Sequence, residues 1–340
     1  MLQKFDRRYG NFPAPVIFGL SGTTLTADEK AFLKDANPLG IILFKRNCDT
    51  PDQISTLTAS VFETLGRVVP VLIDQEGGRV QRLSEPHWKP YPPAREYGLA
   101  LTRNFANGKQ FIIDTATEMA NDLTALGISV NCAPVMDITY AETDDSIGDR
   151  SISKDPYIVS TVAGNIIRTY AEHGVIPVAK HLPGQGRATH DSHKDLPVID
   201  ATPEEMRRTD YLPYKELSTK TYNEALWGMV AHVIYNAYDS RVPASCSRRV
   251  IWDAIRGDVG FNGLLISDDI CMDALSGYGE AKHRAKAVNR AGCDIILHCD
   301  GNLDDMKAIM TEIPEKMPLT SVERFNLSVG WVNRNSKNKA

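Results

Sequence analysis

The chain predicts a single-domain (β/α)8 barrel of the TIM type with long active-site loops. Short apolar, β-branched runs recur eight times, and segments of helical periodicity separate most of them. The runs are continuously apolar, as strands covered on both faces are. Their starts are spaced by about 40 residues, the size of a strand-then-helix unit. A doubly wound open sheet is the structural alternative. It calls for a glycine-rich phosphate turn after the first strand, and Leu20-Ser21-Gly22-Thr23 is not one.

Taken in order, the strand candidates are 16–20, 39–44, 69–73, 129–135, 175–179, 226–233, 263–266 and 294–297. The clearest helices are 26–37, 51–65, 105–126, 156–173, 203–219, 248–259 and 279–291. Two open with a capping signature followed by acidic residues, Thr26-Ala27-Asp28-Glu29 and Thr202-Pro203-Glu204-Glu205. Three connections read as long loops, 82–99, 139–155 and 183–201, dense in Pro, Gly, His and Asp. No Pro/Gly/Ser linker divides the chain, so residues 1–335 are expected to form one domain. The polar tail from Asn333 is expected to fray, at the least over 336–340.

The 340 residues are 42% hydrophobic and 24% charged, an ordinary globular balance. The net charge of −5 advertises neither nucleic acid nor an anionic membrane. No apolar run approaches the roughly 20 residues of a bilayer span, and the N-terminus shows no secretory leader. Six scattered cysteines without CxxC spacing read as free thiols in a reducing cytosol.

In such a barrel the active site forms where the strands end. Those ends carry Asp74, Asp137, Lys180 with His181, His232, Asp268 with Asp269, and His298. The loop after strand five adds His190, Asp191 and His193. A carboxylate at a strand end also serves as a helix cap. His87, His173 and His283 read as structural, and His298 stands between the two readings. The conjunction favours chemistry: Asp74, Lys180, His181, Asp191, His193, His232 and Asp268 are expected to face one cavity. A metal site built from His181, His190, His193, His232 and Asp268 is conceivable. A carboxylate at a strand end with a proton donor on a loop fits glycoside cleavage better.

The motifs DQEGGRVQR (74–82), KHLPGQG (180–186), DSH (191–193) and SDDICM (267–272) together resemble glycoside hydrolase family 3, in its bacterial cytoplasmic β-N-acetylglucosaminidase branch. The resemblance runs from about residue 15 to 300. It implies a retaining exo-enzyme that releases terminal β-1,4-linked N-acetylglucosamine from peptidoglycan fragments (N-acetylglucosaminyl-1,6-anhydro-N-acetylmuramic acid, with or without peptide). Asp268 matches the nucleophile, and His193 oriented by Asp191 matches the acid/base pair. Asp74, Arg82, Arg150, Lys180 and His181 match sugar-binding positions. Ion pairs pinning their loops are the alternative roles of Arg82 and Arg150. The resemblance implies no cofactor, no catalytic metal, a small amino-sugar or muropeptide substrate, and a cytoplasmic protein, taken as a monomer. Phosphorolysis is a variant within the same chemistry, because a histidine acid/base does not repel phosphate as a carboxylate would. Gln185 stands where the family commonly has histidine, Leu182 where an aromatic or another apolar residue is common, and Cys271 where a small residue such as serine is usual. The glycines of the His193 loop suggest a mobile, gated site.

Overall fold

The computed structural model describes residues 1–8, 10–192 and 195–336. Eight parallel strands close on themselves: β1 (Ala14–Gly19), β2 (Pro38–Leu43), β3 (Val71–Ile73), β4 (Val130–Asn131), β5 (Ile176–Leu182), β6 (Trp227–Val230), β7 (Leu265–Asp269) and β8 (Ile295–His298). Each pairs with its sequence neighbours, and β1 closes on β8 through Val16↔Ile296, Ile17↔Leu297 and Phe18↔His298. Closure excludes the open-sheet alternative.

Alternate residues of each strand serve two cores. Ile17, Ile42, Leu72, Val178, Met229 and Ile266 fill the barrel interior. Val16, Phe18, Ile41, Leu43, Val71 and Ile73 pack under the surrounding helices. Two-sided burial is why the strands read as unbroken apolar runs.

The helices form where caps and periodicity agree. Helix α1 (Ala27–Ala36) carries the full capping box of Thr26 with Glu29, and Glu29 also accepts the Ser21 amide. Helix α2 (Pro51–Leu65) starts on Thr50 and stops at Gly66 in the left-handed conformation. Helix α3 (Ala94–Arg103) arises inside the stretch expected to be a loop, behind the prolines 90, 92 and 93 and without a side-chain cap. Helices α4 (Phe105–Ala125) and α5 (Pro156–Glu172) follow β3 and β4 in the order expected.

The segment 203–219, expected to be one helix, is two: α6 (Pro203–Arg208) and α7 (Leu212–Ser218). Pro213 lacks the N–H that a continuous helix needs. The break lets Asp210 accept hydrogen bonds from Tyr140, Arg187 and Thr209. Strand four is shorter than expected, since Pro134 cannot donate to the ladder; pairing resumes only at Val135 against Lys180. The segment Val250–Asp258 winds as a π-helix, and α8 (Ala281–Ala291) follows β7.

Two helices after β8 were not marked by the sequence, α9 (Leu303–Met310) and α10 (Leu319–Asn335). Phe325 and Val329 of α10 join the interior core at the end where the strands begin, and Trp227 Nε1 donates to Ser328 Oγ at 2.8 Å. The Phe5 ring stacks on Phe325 with centroids 5.0 Å apart. One mouth of the barrel is thereby plugged, and the other stays open for ligands. Asn333–Asn335, expected to fray, complete the last turn of α10, and Ser336 is buried. No helix among the described residues is long and apolar enough to cross a membrane.

Candidate active site

The open mouth holds a cavity of about 330 Å³ lined by Asp74, Glu76, Arg82, Arg150, Lys180, His181, Asp268 and Asp269, with Phe44, Met229 and Met272 among its apolar walls. Six of the eight site residues expected from sequence thus meet in one place.

The DQEGGRVQR segment shows how local sequence builds the site. Asp74 follows β3 directly. Gln75, buried, accepts the amides of Arg82 and Leu83 with its side-chain oxygen at 3.0 Å and donates to Leu83 O. That folds 75–81 into a tight antiparallel turn through Gly77 and Gly78, both at positive φ. A side chain on Gly77 would strike Pro92 O at 2.3 Å. The turn returns Arg82 to Asp74, Nη2 to Oδ2 at 3.0 Å.

Lys180, near the end of β5, joins two carboxylates, with Nζ 2.9 Å from Asp74 Oδ1 and 2.7 Å from Glu76 Oε1. Arg150 grips Glu76 bidentately, with both contacts at 2.9 Å. With Asp268 and Asp269, four carboxylates and three cationic side chains share the cavity. Burial alone would raise Asp74 and Glu76, but Lys180 with Arg82, and Arg150 with Lys180, outweigh it. Asp74 is held well below the carboxylate range and Glu76 at about 2. Burial would lower Lys180, and the two carboxylates instead raise it. Arg82 and Arg150 do form the ion pairs that were their alternative role, and both still line the cavity. Arg82 Nε is buried without a hydrogen-bond partner among the described residues.

His181 is oriented from behind. Its Nδ1 donates to Asp137 Oδ2 at 2.7 Å, and its amide reaches the same carboxylate. Asp137 also accepts the Gln185 amide at 2.7 Å, so one fully buried carboxylate staples the KHLPGQG turn to the end of β4. Gln185, at the position that departs from the family pattern, donates through Nε2 to Ser192 Oγ at 3.1 Å and so tethers the DSH loop.

The glycines at 184 and 186 serve close packing. A Cβ at Gly184 would lie 2.8 Å from Asp210 Cβ, and one at Gly186 would lie 1.8 Å from Ile138 O. Gly186→Ala must therefore push the 186–192 segment off its seat. It is expected to lower kcat by about tenfold or more with the fold retained; steady-state kinetics beside a thermal melt checks this, and an unchanged kcat would show that the loop's seat is irrelevant.

The adjacent aspartates divide their tasks. Asp269 Oδ1 accepts the amides of Cys271 and Cys299 at 3.0 and 3.1 Å, and burial raises its carboxyl. Asp268 Oδ1 accepts the Asp269 amide at 2.8 Å, and Asp268 belongs to the cavity wall.

Two expectations about the cavity are corrected. His232, expected on the wall, is fully buried behind it, donating through Nε2 to Asp269 O and accepting from Ser245 Oγ. Burial lowers its imidazole. Asp191 is partly buried on its loop and does not line the cavity. His193 lies outside the described residues. The metal set considered from sequence is not gathered among the described residues: Asp137 occupies His181 Nδ1, His232 is engaged at both nitrogens, and His190 is exposed.

Sequence reasoning passed over Glu76 and Asp137 as site residues. Both stood in plain view, Glu76 inside the quoted 74–82 motif and Asp137 at a strand end. Their partners, Lys180 and His181, are more than forty residues away.

The model of the glycosyl hydrolase family 3 N terminal domain matches residues 15–328. A beta-hexosaminidase of Nitrosomonas eutropha is 33% identical over 290 residues, spanning 85% of this chain and 81% of that protein. Native NagZ from Neisseria gonorrhoeae superposes with a TM-score of 0.83 at 29% identity, covering 95% of this chain and 93% of that one. The same values hold for that protein in complex with N-trifluoroacetyl-D-glucosamine. Matched by the family model over residues 15–328 and built on a barrel whose polar mouth gathers Asp74, Lys180, His181 and Asp268, the chain belongs to glycosyl hydrolase family 3 and is a glycosidase.

Proposed function

We propose that the chain is a retaining exo-β-N-acetylglucosaminidase acting on cytoplasmic peptidoglycan fragments, with terminal N-acetylglucosamine β-1,4-linked to 1,6-anhydro-N-acetylmuramic acid as the bond cut. The observation that carries this reading is Asp268, a carboxylate at the end of β7 on the wall of a cavity that also holds the ion pairs of Asp74 and Glu76 with Arg82, Arg150 and Lys180. A prepaired network binds hydroxyls without presenting an unbalanced charge, and the Asp268 carboxylate meets the positive charge developing at the sugar. The cavity of about 330 Å³ is of a size that takes a small ligand. The hexosaminidase relatives and the glucosamine derivative bound by the Neisseria protein support the N-acetyl preference.

In the first step an Asp268 carboxylate oxygen bonds to the anomeric carbon as the glycosidic C–O bond breaks, and the leaving oxygen takes a proton from the His193 imidazolium. In the second, water attacks the same carbon, gives its proton to His193, and releases Asp268. Asp191 fixes the imidazole tautomer and stabilises its charged form. Asp74, Arg82, Arg150, Lys180 and His181 hold the hydroxyls through charge-assisted hydrogen bonds.

The test is initial-rate hydrolysis of p-nitrophenyl β-N-acetylglucosaminide and p-nitrophenyl β-glucoside in chelator, with and without phosphate, followed by the anhydro-disaccharide. Chelator-resistant turnover of the N-acetyl substrate alone, with the β-anomer as first product, is expected. Formation of N-acetylglucosamine 1-phosphate would replace hydrolysis by phosphorolysis, and inactivity on both substrates would overturn the assignment.

A further inference from the structure

Behind the cavity the structure brings together three metal-ligating side chains that the glycosidase chemistry does not use. Cys271 follows β7, His298 ends β8, and Asp300 lies two residues beyond; Cys271 Sγ, a His298 ring nitrogen and an Asp300 oxygen lie within 4.8 Å of one another. His298 is the unusual member. It is wholly buried, its ring stands edge-on to Phe18, and neither ring nitrogen makes a hydrogen bond among the described residues. Its Nε2 is 3.3 Å from Asp300 Oδ1 without the alignment of a hydrogen bond. A buried polar group left this way costs about 1–3 kcal/mol, so it calls for a partner.

The scaffold around the three is already tied down. Asp269 joins the two segments by accepting the amides of Cys271 and Cys299. Arg284 donates to the carbonyls of Ile270, Cys271 and Met272. Arg46, bonded to Leu20 O and Cys299 O, places a positive charge nearby, and Asp300 and Asp305 place negative charge there. Asp300 keeps 41% of its side chain exposed, which leaves a solvent side to the cluster.

We infer that Cys271, His298 and Asp300 form a binding site for a borderline-soft divalent cation of the zinc class, which clamps the loop after β7 to the loop after β8. One sulfur, one imidazole and one carboxylate match the preference of zinc and of cobalt(II) used as its probe, and not that of magnesium or calcium. Zinc–ligand lengths of about 2.0–2.3 Å place tetrahedral ligand atoms roughly 3–4 Å apart. His298 Nε2 and Asp300 Oδ1, 3.3 Å apart, already have that spacing, and all three ligand atoms lie within 4.8 Å of one another. Three protein ligands leave the fourth position to water on the Asp300 side. Binding exchanges the Cys271 thiol proton, released to solvent, for the metal–sulfur bond. Since Cys299 and Asp269 belong to the cavity wall, the clamp would stiffen the wall that carries Asp268.

Cobalt(II) titration of the chelator-stripped full chain tests this, because a cobalt–thiolate bond gives a near-ultraviolet charge-transfer band that histidine and carboxylate ligands alone do not. One equivalent is expected to produce the band in the wild type and in His193→Ala, and zinc to abolish it by competition. Cys271→Ser is expected to remove the band, and His298→Gln and Asp300→Asn to weaken cobalt binding tenfold or more. Zinc is expected to raise the melting temperature of the wild type and not of Cys271→Ser. Should Cys271→Ser fail to fold, the His298 and Asp300 variants still read the site through the same band. No band in the wild type, or a band that survives Cys271→Ser, overturns the proposal.

Discussion

Replacing Asp268 by Asn is expected to lower kcat on p-nitrophenyl β-N-acetylglucosaminide by about ten-thousand-fold or more. That corresponds to about 5 kcal/mol of lost transition-state stabilisation. The amide neither bonds to the anomeric carbon nor neutralises the charge that develops there. Its side-chain oxygen still accepts the Asp269 amide, so the contact that positions the residue is retained. Azide at high concentration is expected to restore part of the turnover, entering from the face the carboxylate occupied and giving an α-glycosyl azide. The p-nitrophenolate leaves without needing a proton, so this rescue does not depend on His193. Undiminished hydrolysis by a folded Asp268→Asn protein would remove Asp268 from the mechanism.

Lys180→Met is expected to cost about 3–5 kcal/mol of folding stability, because it strips two buried carboxylates of the cation they share. Urea unfolding at neutral pH measures it. Activity should fall with it, through a raised KM, since Asp74 loses the contact that fixes its orientation. The pH dependence separates this cause from a packing defect. Asp74 and Glu76 both titrate below their ordinary values of 3.8 and 4.5. A depressed carboxylate stabilises the fold above its unfolded value and loses that contribution as pH falls through the folded one. For Glu76 the window runs from about 4.5 down to about 2. The gap between wild type and Lys180→Met should therefore narrow as pH falls through that window. A constant gap across it would assign the loss to packing.

The order of strands and helices was legible because each signal is local. The capping box of Thr26 with Glu29 formed as written, and eight apolar runs became eight strands. Elements without a local signal were missed. Helix α3 hides behind prolines and lacks a side-chain cap, and the break before α7 depends on where Asp210 is needed. The packing role of the loop glycines was hidden for the same reason. Glycine in a sequence is compatible with freedom or with crowding, and only the Ile138 carbonyl beside Gly186 decides between them.

The sequence by itself determined the barrel, the family, and the strand ends on which Asp74, Lys180, His181 and Asp268 stand. Those follow from periodicity and from motifs read along the chain. Tertiary structure decided which charges meet: Glu76 with Lys180 and Arg150, Asp137 with His181, and Cys271 with His298 and Asp300. It also put His232 into the scaffold behind the cavity and engaged Asp269, on the wall, with the amides of Cys271 and Cys299. The physical reason is that electrostatic and hydrogen-bonding partners act over a few ångströms of space, and barrel closure sets those distances between segments tens to hundreds of residues apart.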